Sequence, residues 1–260
     1  MEGHSGQELQ SAHYGDQDFA TRYHRHYSDP TSEEYRRRFI NGPLTEGIDL
    51  AGREVLEVMC GSGSTVGYLL SKGANVSGLD ISPVLMETFK QSWPGCRAIC
   101  ASIFQTGLPD ASYDCVVAVG GLHHIQPDLQ PAIDEIHRVL KPGGFFCFSE
   151  PHAGSFPDLV RQQWYRVDHM FERNEEAIDL PALMRANAER FEFIKTRYAG
   201  NIAYLLVYNS LVFRLPLSWK RVYAPPLLAA EAAINPLLGR RLSCFIVAQW
   251  RKKPLGSGQQ

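Results

Sequence analysis

The sequence predicts an α/β fold built on a mostly parallel sheet with helices on both faces. Three observations predict it. Short, fully apolar runs alternate with helical segments between residues 54 and 149. Strands without polar alternation are buried on both faces, as parallel crossover topology requires. A glycine-rich turn, Cys60-Gly61-Ser62-Gly63-Ser64, follows the first apolar run and opens a helical segment. The chain has 260 residues, 44% of them hydrophobic and 21% charged, enough for one large domain or one domain with a modest appendage.

Taken in order, residues 1–45 read as an N-terminal flexible segment with lid helices. Within it Ser32–Ile40 has helical spacing, capped by Thr31 or Ser32 ahead of Glu34. The run Arg36, Arg37, Arg38 reads as a solvated helix face. A domain over 46–253 follows. Glu54–Met59 is expected as a strand, with a helix from about Ser64 to Lys72. Asn75–Leu79 is the next strand and Pro83–Ser92 its helix. Arg97–Cys100 is a short strand, Cys115–Val119 a strong one, and Leu129–Leu140 a helix. Gly144–Ser149 is a strand after the Lys141-Pro142-Gly143-Gly144 turn. Arg190–Tyr198 and Ser243–Trp250 read as the last two strands. Between them, Ala199–Leu242 is apolar and broken by Pro216, Pro225, Pro226 and Pro236. Its longest apolar portion, Ile202–Phe213, is too short to span a bilayer. Residues 254–260 read as a disordered tail.

The formal net charge is -2, from 26 basic and 28 acidic residues, which offers no general attraction to nucleic acid or to anionic membrane. The six cysteines form no CxxC pair and no Cys/His cluster with zinc spacing, so no metal site is expected. The polar N-terminus lacks an apolar signal core, and a reducing cytoplasm is the expected location.

Ligands of such sheets bind beyond the carboxyl ends of the strands. Glycine in the turn after the first strand permits a sharp bend and close approach of a ligand to the backbone. Glu57 stands in that strand, four residues before Gly61. An acid there repels a dinucleotide pyrophosphate but suits S-adenosylmethionine, whose ammonium and sulfonium are cationic. The next strand ends at Asp80, whose carboxylate suits the two hydroxyls of a ribose.

With these residues in view, the chain resembles class I, Rossmann-like S-adenosylmethionine-dependent methyltransferases of the small-molecule type. Four linked segments carry the resemblance: VLEVMCGSGS, the strand-end acid in GLDIS, LPDASYDCVVAVGGLHHI, and EIHRVLKPGGFFCFSEP. It implies a seven-stranded sheet with its last strand antiparallel and a helical insertion before that strand. It also implies S-adenosyl-L-methionine as cofactor, with S-adenosyl-L-homocysteine as product. Glu57, Met59, Gly61 and Gly63 would line the methionine part. Asp80 would hold the ribose and Ile81 pack on the adenine, with Ser102 and Ile103 at the adenine edge. Val119 and Gly120 would close the floor, and Tyr14 and Tyr23 would cover the cofactor's carboxylate or the acceptor. The chain departs from the family twice: Met59 stands where glycine is usual, and Ser102 where aspartate is usual.

On the acceptor side, His123 and His124 follow the fourth strand and resemble the general base of some O-methyltransferases, His123 being slightly favoured. Backbone hydrogen bonding is the competing role. Glu150 and His152 follow the fifth strand, where either could orient a histidine or bind acceptor, and Glu150 could instead cap a helix. His24, His26, Asp168 and His169 read as surface residues. Segments at about 153–188 and 199–242 would shape the acceptor side. The aromatic content of the latter favours a hydrophobic or natural-product-like acceptor, or else a dimer interface or a second small core. The reading is therefore O-methylation of a small molecule. N- or C-methylation and a non-catalytic cofactor-binding module stand as alternatives. Glu57 speaks against a nicotinamide oxidoreductase, and the charge balance against nucleic acid as partner.

Overall fold

The computed structural model describes residues 26–165, 176–211 and 215–254. Seven strands form one sheet: β1 (Glu54–Val58), β2 (Asn75–Asp80), β3 (Arg97–Cys100), β4 (Tyr113–Val119), β5 (Leu140–Pro151), β6 (Phe191–Ala199) and β7 (Phe245–Lys252). Their order is β3-β2-β1-β4-β5-β7-β6. The first five run parallel, and β7 lies antiparallel between β5 and β6. Strand order reverses between β1 and β4, so the loops after these two strands diverge and leave a crevice at their carboxyl ends.

Side-chain alternation divides the core in two. Leu56, Val116, Phe146 and Ala248 face one side, where they pack with Ile133 and Ile136 of α4 (Leu129–Val139) and Leu183 of α6 (Leu180–Asn187). Val55, Val117, Cys147 and Val247 face the other. That side is covered by α1 (Pro30–Tyr35), α2 (Val66–Ser71), α3 (Pro83–Ser92) and α7 (Leu217–Ile234). Helices thus cover both faces, and every central strand is buried. A further helix, α5 (Phe156–Tyr165), follows β5.

The N-terminal helix starts earlier than its spacing suggests. Its cap is Asp29, not Thr31 or Ser32: the Asp29 carboxylate accepts from Thr31 N at 3.0 Å and Ser32 N at 3.4 Å, with Pro30 in the first turn. Ser32 is buried and donates to His26 O at 2.9 Å. A π-helical turn, Arg36–Asn41, continues α1. Arg37 and Arg38 pair with Glu34 at the surface, but Arg36 is no solvated residue. It is 4% exposed and donates to Tyr27 O at 2.5 Å, because the π-helical turn directs it inward.

Two buried charges tie this N-terminal region to the insertion before β7. Lys220 Nζ, on α7, reaches Asp29 Oδ2 and Ser32 Oγ, both at 2.6 Å, and His26 O at 3.0 Å. Glu231, on the same helix face, accepts Tyr35 Oη–H at 2.6 Å and the backbone N–H groups of Asn201, Ala203 and Tyr204. The latter open a π-helical turn, Tyr204–Tyr208. Tyr204 and Tyr208 pack on Tyr35 and Phe245, so these insertion aromatics belong to the core.

Candidate active site

The crevice begins where β1 turns into α2. Cys60 N–H still bonds Leu79 O on β2, at 3.1 Å, and then the chain bends. Three residues of the bend have left-handed backbone: Met59 at φ 52°, Gly61 at 54° and Gly63 at 87°. Gly63 admits no side chain, since a Cβ there would stand 2.6 Å from Trp93 Nε1. Trp93 braces the bend by donating to Ser62 O at 3.1 Å. Met59, where the family resemblance leads one to expect glycine, occupies the conformation glycine favours. Its side chain lies on Gly121, where an added Cβ would approach Met59 Cβ to 2.7 Å.

Glu57 is 2% exposed, and its Oε2 has no hydrogen-bond partner. Burial pushes its carboxyl up to about 7, against the pull of neighbouring Thr65 and the positive charge of Arg36. Thr65 Oγ1 beside it is likewise buried and unpartnered. Asp80 holds the other side of the bend: Oδ2 accepts Gly61 N–H and Oδ1 accepts Ser82 N–H, each at 2.9 Å. Burial raises its carboxyl too. Ile81 follows at the end of β2, partly exposed. Ser102 Oγ accepts Phe104 N–H at 3.2 Å. Ile103, expected at the adenine edge, is 1% exposed and packs in the core with Leu79 and Leu108. Its side chain supports the crevice from beneath, because it falls on the α4 face of the sheet.

The second wall comes from β4 and β5. Val119 is half-buried, and Gly120, at φ 67°, donates to Ser149 O at 2.9 Å. A short 3-10 turn, Leu122–Ile125, carries the two histidines. Glu150, buried on β5, organises it. Its Oε1 accepts Gly121 N–H and Leu122 N–H, both at 2.9 Å, and its Oε2 meets His123 Nδ1 at 2.7 Å. Burial pushes Glu150 up to about 7 and, together with the Arg161 charge, pushes His123 down to about 3. The imidazole is therefore neutral near pH 7. With Glu150 ionised, the proton lies on Nδ1, facing it, and the lone pair on Nε2. The His123 side chain is 12% exposed, and the His124 ring lies 4.0 Å from it, centroid to centroid.

His152 does not join this group. It is 1% exposed, its ring nitrogens face Ser243 O at 3.0 Å and Ala153 O at 3.3 Å, and its ring packs edge-on against Tyr198. It fastens the end of β5 to the start of β7, a structural role. Tyr14, Tyr23, His24, Asp168 and His169 lie outside the described residues. Sequence reasoning missed Arg36, Thr65, Trp93 and Arg161. Only Thr65, directly after the glycine turn, sits where the motif could have drawn attention to it. Among the described residues no three His, Cys, Asp or Glu side chains gather as a metal set.

The switch-point crevice, its left-handed bend and its two acids have the form expected of a Rossmann-like nucleoside site. Residues 56–148 match the methyltransferase domain family. An uncharacterized methyltransferase of Synechocystis is 34% identical over 119 residues, 45% of this chain and 56% of that protein. The malonyl-[acyl-carrier protein] O-methyltransferase of Serratia marcescens is 31% identical over 125 residues, 48% of each chain. The chain thus spans about half the length of the curated relatives it matches. Among solved structures, the 1,6-didemethyltoxoflavin-N1-methyltransferase of Burkholderia thailandensis, with S-adenosylhomocysteine bound, superposes with a TM-score of 0.57 at 17% identity, covering 97% of this chain and 92% of that one. Over residues 56–148 the chain matches a methyltransferase domain, and its relatives and structural neighbours support a class I S-adenosylmethionine-dependent methyltransferase.

Proposed function

We propose that the protein transfers a methyl group from S-adenosylmethionine to a hydroxyl of a small, hydrophobic or natural-product-like acceptor. The residues present fit the cofactor. Glu57 offers a buried carboxylate oxygen that no protein donor meets, suited to the cofactor's ammonium. Buried Arg36, whose charge reaches Glu57, suits the carboxylate of the same amino-acid group. Asp80, already held by two backbone N–H groups, suits the ribose hydroxyls. When bound, the cofactor supplies an electrophilic methyl on its sulfonium.

The observation that carries the O-methylation reading is the His123–Glu150 pair. A hydroxyl must lose its proton as it attacks; the imidazole, a weak base while burial holds its pKa low, takes it on Nε2 once Glu150 is ionised beside Nδ1. Glu150, bonded to Nδ1–H, orients the ring and stabilises the imidazolium that forms. The acceptor would be shaped by residues 1–45, 153–188 and 199–242. Relatives named as O-methyltransferases support this reading. The test is turnover of a panel of hydroxyl acceptors. His123→Asn lowers kcat about 10²–10⁴-fold while cofactor affinity stays unchanged, and Glu150→Gln lowers it less. Undiminished turnover in His123→Asn removes the base.

A second reading, N-methylation, draws on the likeness to an N1-methyltransferase. An amine already neutral needs no base, so His123→Asn would then leave kcat unchanged above the acceptor's pKa. Cofactor binding without turnover of any acceptor would favour a binding module. A reducing cytoplasm is the proposed location, as six cysteines without CxxC spacing suggest.

A further inference from the structure

Helix α7 is amphipathic in the inverted sense. Its inward face carries Lys220, Ala224, Leu228 and Glu231, all buried, and both charges are saturated by partners on the N-terminal region and the 201–204 turn. Its outward face, at helical spacing, presents Trp219, Val222, Pro226, Ala229 and Ala233, and Leu237 of the next turn continues the line. All of these are exposed: Trp219 is 70% exposed, Val222 80% and Leu237 83%. Large apolar side chains at such exposure on one continuous face mark a surface that meets something other than water.

Within residues 199–242 the exposed charges of the described residues are of one sign. Between residues 199 and 242 the only acid is Glu231, which is buried. The exposed ionic residues flanking the face are Arg221 near its start and Arg240 and Arg241 beyond its end. The backbone of Arg241 is fixed to α5, where Phe156 N–H bonds Arg241 O at 2.9 Å. Phe156 on that helix is 63% exposed and Leu242 beside Arg241 is 54% exposed, so apolar surface continues past the arginines. The near-neutral net charge of the whole chain conceals this local excess.

We propose that the outer face of α7, with Arg221, Arg240 and Arg241, docks on the surface of an anionic phospholipid bilayer. A helix with an apolar face and flanking cations lies in the interfacial plane, its side chains among the headgroups. Tryptophan favours that depth, and each arginine gains from the negative surface potential. No helix among the described residues is long and apolar enough to cross a membrane, so the contact is peripheral. A second copy of the chain is a poorer occupant. An antiparallel two-fold pairing of α7 sets Arg221 of one copy against Arg240 and Arg241 of the other. The proposal stands independently of the methyl acceptor.

The test is co-sedimentation of the full chain with vesicles of phosphatidylcholine containing about one third phosphatidylglycerol, against vesicles of phosphatidylcholine alone. The protein binds the anionic vesicles at least about tenfold more tightly, and about 0.5 M salt weakens that binding strongly. The pair Arg240→Glu with Arg241→Glu loses about tenfold or more, and so does Val222→Asp. Tryptophan emission shifts to the blue on binding, and Trp219→Phe removes most of that shift. Cofactor affinity of each variant shows that the fold is intact. Absence of binding to anionic vesicles overturns the proposal, as does equal binding to both vesicle types. A concentration-dependent dimer that Val222→Asp dissociates, without vesicle binding, makes the face a protein interface and also overturns it.

Discussion

Glu57 holds a carboxyl that water barely reaches and that no protein donor meets on one oxygen. Its folded-state pKa, about 7, lies above its ordinary 4.5. Between those values the folded protein keeps a proton that the unfolded chain has released. The group therefore favours folding at low pH, and that contribution is lost as pH rises toward 7. A cationic ammonium requires the ionised form, so cofactor binding expels the proton. Cofactor affinity should fall about tenfold per pH unit below pH 7, and Glu57→Gln should bind weakly with no such slope. Calorimetry in two buffers of different ionisation enthalpy reads the released proton directly. Met59 is the other informative residue. Its departure from glycine is plain in the sequence, but its consequence is not, because only the backbone shows φ at 52°. Met59→Gly and Met59→Ala both remove the Met59 Cγ and Sδ from Gly121, alanine keeping the Cβ, yet only glycine relieves the left-handed strain. Met59→Gly should be the more stable of the two by about 1 kcal/mol in urea melts, and equal stability would deny the strain.

Among the elements, α3 and β3 are legible at their full limits. Ser82 caps α3 by accepting Leu85 N–H, and Pro83 fills its first turn, both local signals. The N-terminal helix misleads because Thr31, Ser32 and Asp29 all satisfy a cap pattern. Lys220, meeting Ser32 from α7, takes up the serine that the local pattern nominates. Helix α7 is least legible. Pro225 and Pro226 read as breaks, whereas the helix runs through them, and Asp29 and Tyr35, which meet its two buried charges, are distant in the chain. Asp29→Asn keeps a capping side chain but leaves the buried Lys220 ammonium without its counter-charge. Asp29→Asn should cost about 3 kcal/mol, while exposed Arg221→Met should cost under about 0.5 kcal/mol, as urea unfolding will show. The candidate base follows the same logic of distance. His123 and His124 are visible beside β4, but what distinguishes them is a carboxylate on β5 that also fixes the turn. His152 looks equivalent in sequence, but Ser243 O, just before β7, and Ala153 O occupy its ring nitrogens.

At the scale of the whole molecule, the apolar runs and the four motif segments suffice for a mostly parallel sheet covered on both sides. They do not say which strands neighbour which. The pairing of β7 with both β5 and β6 depends on register between segments far apart in the chain. The cofactor crevice draws on β1, β2 and β4, so its ligand should stabilise the domain as a unit. At a hundred times its dissociation constant, S-adenosylhomocysteine should add about 2.7 kcal/mol, raising Tm by roughly 5–10 °C. Glu57→Gln should lose most of that rise at the same ligand concentration.

The position of β7 also bears on how the protein is made. A ribosome delivers β5 long before β7, and β6 cannot join the sheet until β7 lies between them. At typical elongation rates the β5 edge, with Phe145, Phe146 and Phe148, waits on the order of ten seconds for its partner. During that interval the nascent chain carries a sticky, half-finished sheet, and holding it apart from its neighbours is work for a chaperone rather than for the fold.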